Sequence, residues 1–166
     1  MEVVYCSGTE ISTHACAHLL DVSKAEGRTT LVQFVNNLWG GELDVLINNV
    51  GTNVRKSIGE STEEEYRGMM ATNVDSAYFL CKALHASLLK AAQKSDYAAV
   101  VNVSSTAGVT STGTGAIYAM TKAAMVQLTK NLACEWGAAG YAGFAFFAFP
   151  FACLIRVSTN LCQDPC

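Results

Sequence analysis

The sequence predicts an α/β fold built on a mostly parallel sheet. Two short apolar runs, LDVLI at 43–47 and AAVVNV at 98–103, are the first ground for this: each breaks at once into a polar, glycine-containing turn, as buried parallel strands do. Between and after them come longer stretches with apolar residues at helical spacing, and strands alternating with helices imply a parallel sheet. The bulk numbers agree. The chain has 166 residues, 51% apolar and 15% charged, enough for one folded domain and too apolar for a disordered one.

Taken in order, MEVVYC is a weaker third strand candidate at the start of the chain. A helix is expected near residues 23–39, stopped by Gly40-Gly41. A second helix opens at Ser61, where S-x-x-E with Glu64 reads as a capping box, and Glu63 to Glu65 suit the positive end of its dipole. Its apolar stripe runs Tyr66, Met70, Val74, Ala77, Cys81, Leu84 and Leu88. A third helix begins near Ala116, with Met125, Leu128 and Leu132 at helical spacing. In such sheets ligands sit beyond the carboxyl ends of the strands, which is where the turns NNVGT and SSTAG fall.

Charge and composition exclude several classes. A net charge of −3 with scattered Lys and Arg gives no nucleic-acid patch. Seven cysteines at irregular spacing, without a CxxC pair, read as reduced cytosolic thiols. His14, Cys16 and His18 lie close together but lack a second ligand cluster, so no metal site is expected. Residues 137–155 carry no charge and just reach the length of a membrane span. Three glycines, six alanines and Pro150 make them a poor one, so a membrane is not expected.

The reactive residues gather around one loop. Tyr118 and Lys122 are i and i+4 on one helix and share a face. A tyrosine is a feeble proton carrier at neutral pH. An ammonium about 4 Å away contributes about 4 kcal/mol at an effective dielectric near 20, but only about 1 kcal/mol in water, so the pair works only in a cleft. Ser105 leaves a strand end thirteen residues ahead of Tyr118 and can hydrogen-bond the substrate oxygen that Tyr118 protonates. Ser104 competes for that role, and strand alternation sends the two to opposite faces. Asn73 falls beside the apolar stripe of its helix. It is either an exposed or self-bonded amide, or one that bends the helix locally and holds a water near Lys122.

NNVG at 48–51, Asn73, and VSSTAG leading to YAMTK together resemble the short-chain dehydrogenase/reductase family. LINNVGTN, MATNVDSAYFLCKALH and NLACEWG are most similar to its tropinone-reductase-like plant members, over about residues 21–137. The resemblance implies hydride transfer between NAD(P)(H) and a carbonyl or alcohol carbon, with NADP(H) favoured over NAD(H). It makes Tyr118 the general acid, Lys122 the group that holds the nicotinamide ribose and acidifies the tyrosine, Ser105 the residue that positions the carbonyl, and Asn73 part of a proton relay. Asp21 and Val22 would contact the adenine, and Asn49, Val50 and Gly51 would line the cofactor, Val50 standing where alanine is usual. The substrate is then a small-molecule ketone or alcohol, the location cytoplasmic, and the assembly a dimer or tetramer packed through the helices carrying Asn73 and Tyr118.

The departures from that family shape the fold expected: an incomplete Rossmann-like doubly wound parallel sheet, lacking the usual first strand with its Gly-rich TGxxxGxG turn. VVYCSGTE resembles the family's second strand. Alternatively, residues 2–6 are the first strand and 10–20 a shortened helix. Without the central first strand, two half-sheets with unpaired edges are expected. Residues 1–137 read as a partial dinucleotide-binding domain and 138–166 as a divergent apolar tail. The leading function is an NADP(H)-dependent ketone reductase. The alternative is a catalytically silent, truncated chain that associates with full-length reductases.

Overall fold

The structure is a computed structural model that describes residues 2–6, 15–38, 40–95, 97–137, 141–148 and 153–156, with side chains described for 19–37, 40–95 and 97–137. Its elements run β1 (Glu2–Cys6), β2 (Ala15–Leu19), α1 (Ala25–Leu38), β3 (Val45–Asn48), α2 (Glu63–Met70), a π-turn (Ala71–Asp75), α3 (Ser76–Ser95), β4 (Ala98–Ser105), a 3-10 turn (Thr106–Gly108), α4 (Ala116–Trp136), β5 (Tyr141–Ala148) and β6 (Cys153–Arg156).

The strands form two separate sheets. β3, β4 and β5 are parallel neighbours in that order, and β6 adds antiparallel to β5. Val45 pairs with Ala99 and Asn48 with Asn102. β1 and β2 pair only with each other, antiparallel, Glu2 opposite Leu19. The expected split is therefore present and leaves β3 at an edge. The shortened helix considered for 10–20 is not: Ala15–Leu19 is a strand, matched to the run of β-branched and aromatic residues in EVVYC.

All three long helices serve one side of the four-stranded sheet. Leu46 of β3 and Ala98 and Val100 of β4 join Leu31 and Val35 of α1, Leu80, Leu84 and Leu88 of α3, and Leu132 of α4 in a single buried cluster. α1 stops where Gly40 and Gly41 take φ of 59° and 77°, the left-handed values that favour glycine.

α2, the π-turn and α3 run on as one helix, and here two expectations are displaced by one residue. The capping box belongs to Thr62 and Glu65, not to Ser61 and Glu64. Thr62 Oγ1 accepts from the Glu65 N–H at 3.2 Å, and Glu65 Oε2 accepts from the Thr62 N–H at 2.9 Å. Ser61 instead donates its hydroxyl to the Ser57 carbonyl. The predicted stripe holds from Ala77 onward but fails before it. Tyr66 is 40% exposed, while Met69 is buried at 2%. The π-turn inserts one extra residue, so a stripe extrapolated backward at α-helical spacing lands one position late.

Among the described residues, no helix is long and apolar enough to cross a membrane. Cys81 is a free, buried cysteine, whereas Cys134 is disulfide-bonded, against the expectation of reduced thiols throughout.

Candidate active site

Ser104 and Ser105 end β4 and part company there. Ser104 is buried on the helix side, and its hydroxyl donates to the Lys122 carbonyl at 2.8 Å. Ser105 turns the other way and stays half-buried; its Oγ accepts from the Ala107 N–H at 3.2 Å and so caps the 3-10 turn. That bond uses an oxygen lone pair and leaves the Ser105 proton available to another acceptor. Of the two candidates, only Ser105 keeps a hydroxyl hydrogen to offer.

Lys122 lies on the buried face of α4, 4% exposed. Its Nζ donates to the Val103 carbonyl at 2.8 Å and sits 5.7 Å from the centre of the Tyr118 ring. Burial pushes the ammonium below the usual lysine range. The helix backbone is pinned at the same point. A Cβ at Gly108 would come within 2.7 Å of the Lys122 carbonyl carbon and oxygen, so the turn closes on α4 only because that residue has none.

Asn73 sits in the π-turn, 1% exposed, with its amide fully engaged. Oδ1 accepts from the Thr52 N–H at 2.8 Å, and Nδ2 donates to the Thr52 carbonyl at 2.9 Å and to Thr121 Oγ1 at 3.0 Å. Thr121 in turn donates to the Tyr118 carbonyl at 2.8 Å. Of the alternatives weighed for Asn73, the structure has the buried amide at a local irregularity of the helix, and its hydrogen bonds clamp the loop after β3. Gly51 completes the cluster. A Cβ there would lie 3.4 Å from Lys122 Nζ and 3.5 Å from Asn73 Oδ1, so that loop passes close over both. Asn73, Gly51 and the α4 pair Tyr118 and Lys122 are thus brought together from three segments separated in sequence.

The family model of short chain dehydrogenases matches residues 3–141. The chain belongs to the short-chain dehydrogenase family. It is 45% identical over 129 residues to a tropinone reductase homolog of Arabidopsis thaliana, covering 78% of this chain and 45% of that one. A tropinone reductase homolog of Datura stramonium is 42% identical over 129 residues, with the same coverages. Among solved structures, ElxO with NADP bound superposes at a TM-score of 0.66 with 31% identity, over 77% of this chain and 50% of ElxO. The chain spans just under half the length of the curated relatives it matches.

The remaining predicted positions of this short-chain dehydrogenase are spread more widely. Asn49 is exposed, and Val50 packs against the core cluster. Asp21 and Val22 stand at the head of α1, with no described contact to the Tyr118 cluster. The Asp21 carboxylate accepts from the Ser23 N–H at 3.1 Å and the Ser23 hydroxyl at 2.6 Å, with Lys24 at 3.6 Å. The Ser23 hydrogen bonds, and then Lys24, hold it below the usual carboxylate range. Val22 is 1% exposed, and its carbonyl accepts from Arg28.

Several structural partners of the site escaped the sequence reading. Asn48 Nδ2 donates to Asn102 Oδ1 at 2.8 Å, and Asn102 Nδ2 donates to Thr129 Oγ1 at 2.8 Å, which ties the end of β3 and the middle of β4 to α4. Both asparagines close apolar strand runs, where a polar residue suggests exposure; their 8% and 0% exposure was the hidden part. Thr52, Thr121 and Gly108 were passed over for want of any reactive group. No three His, Cys, Asp or Glu side chains among the described residues are placed to hold a metal. The His14, Cys16 and His18 side chains lie outside those described.

Proposed function

We propose that the chain carries the site of an NADP(H)-dependent ketone reductase of the tropinone-reductase-like kind, acting on a small-molecule carbonyl or alcohol. The observation that carries this reading is the juxtaposition of a buried Lys122 ammonium with the Tyr118 ring, at the end of a strand whose Ser105 keeps a free hydroxyl hydrogen. The nicotinamide, when bound, supplies or accepts the hydride. Tyr118 passes its phenolic proton to the carbonyl oxygen as it becomes an alkoxide, and Ser105 donates a second hydrogen bond to that oxygen. Lys122 has two N–H groups beyond the one that meets Val103, and they fit ribose hydroxyls at the open Cα of Gly51. Asn73 holds the loop at Thr52 in place and joins the relay behind Lys122. Asn49, Val50 and Gly51 line the cofactor, and Asp21 with Val22 meets the adenine. The preference for NADP(H) over NAD(H) leans on the NADP-bound ElxO. In this reading residues 1–137 are the partial dinucleotide-binding unit and 138–166 a divergent stretch from which β5 and β6 extend its sheet. The protein is cytoplasmic and pairs with copies of itself through the helices of Asn73 and Tyr118, where Tyr78, Phe79 and Met120 are exposed.

The unpaired edge at β3 favours a second reading, in which the chain is catalytically silent and associates with full-length reductases. A thermal-shift titration with NADPH, and NADH beside it, separates the two. A ligand specific for the folded state adds about 2.7 kcal/mol at a hundredfold excess over its dissociation constant. A melt that climbs with NADPH, followed by ketone-dependent oxidation that Tyr118→Phe cuts by about a hundredfold or more, is the outcome expected. A melt indifferent to both cofactors sinks the first reading.

A further inference from the structure

A cavity of about 560 Å³ opens between the loop after β3 and the loop ahead of α4, both beyond the carboxyl ends of the parallel strands. Ile58, Ala116 and Ala119 give it apolar wall, the two alanines flanking Tyr118 on the first turn of α4. Ser111, Thr112 and Thr114 add hydroxyls. Three charged residues line it, and they are not equivalent. Lys56 is paired with Glu65. Glu60 accepts from both the N–H and the hydroxyl of Ser57, and those bonds, with Lys56 nearby, hold it ionised. Arg55 makes no hydrogen bond or ion pair among the described residues, so of the cavity's two cations it is the one that no carboxylate meets, while Glu60 is satisfied by neutral Ser57.

We infer that this cavity receives a carboxylate borne by the substrate, with Arg55 as its counter-charge. A guanidinium offers two parallel N–H donors that match a carboxylate, and an apolar wall with nearby hydroxyls suits a compact ring or short chain between that end and the carbonyl. The inference rests on the reductase reading for the carbonyl end, and its test is separable from that reading.

The full chain is titrated with 4-oxocyclohexanecarboxylate and with its methyl ester, binding being followed by saturation-transfer NMR without cofactor. The acid is expected to bind at least about tenfold more tightly than the ester, and Arg55→Gln to bring the two within about twofold. Arg55→Lys, which keeps the charge but not the fork, recovers part of the difference. Because Arg55 is exposed and makes no hydrogen bond or ion pair among the described residues, the variants should melt as the wild type does. Equal binding of acid and ester, or a preference that survives Arg55→Gln, overturns the inference. Arg55-dependent binding without any NADPH oxidation would uphold the cavity assignment and fell the reductase reading. Oxidation with an Arg55-independent preference would do the reverse.

Discussion

The two faces of the β3–β4 ladder are made by the same strands and have different fates. On one side Leu46, Val100, Asn48, Asn102 and Ser104 are all buried beneath α3 and α4. On the other, Val45 and Ile47 stand 38% and 61% exposed. Strand alternation decides which residue goes to which side, but it says nothing about what covers that side. The contrast inverts the usual order, because asparagines are buried where helices supply partners, while on the other side, where none of the described helices packs, Val45 and Ile47 are bare although Ala99 opposite Val45 is buried. The candidate site straddles the boundary. Lys122 reaches to β4 from the covered side, while Ser105 lies on the alternation of the open one.

The largest expected effect sharpens this contrast from the covered side. Leu84 is 0% exposed at the centre of the helix-side cluster, and Leu84→Ala should cost about 2–5 kcal/mol by denaturant unfolding. A cost below 1 kcal/mol would mean that the helices are not firmly seated on the sheet. A smaller effect concerns the charge buried there. Since burial lowers the Lys122 pKa in the folded state, the unfolded chain holds the proton more tightly just below the ordinary lysine value of 10.5. Wild-type stability should therefore rise with pH through that window relative to Lys122→Met, with the full burial penalty present below it. Parallel stability–pH curves for the two would show that the ammonium is solvated. Smallest of all, Ile47→Thr on the open side should change stability by no more than about 0.5 kcal/mol. A loss comparable to Leu84→Ala would show that this face is covered in solution, and a sedimentation measurement would then say whether a second copy covers it.

Much of this architecture was legible in the sequence because the signals were local. The apolar runs at 43–47 and 98–103, the glycine pair after α1 and the spacing of Tyr118 and Lys122 each act over a few residues. The opposite facing of Ser104 and Ser105 was also local, a matter of alternation. What stayed hidden depends on distant partners. Asn48 and Asn102 look like loop residues until Thr129 and Cys81 are brought to them from two helices. β2 has no helical or strand period of its own to announce it and is defined by pairing with β1. The cap at Thr62 was missed because SxxE and TxxE overlap by one residue, and only the backbone geometry separates them.

The widened turn at Ala71–Asp75 sets a condition on the length of the chain around it. If the same residues ran as an unbroken α-helix, everything before them would rotate by about 100° about the axis, carrying Tyr66 and Met70 inward and Met69 out. Removal of one residue would instead keep Met69 inside and erase the bulge beneath Asn73. Packing alone would be satisfied by the shorter helix. The longer one is needed only if the amide must stand where it meets both Thr52 and Thr121, so the length of this helix is set by its role beside the site and not by its contribution to the core.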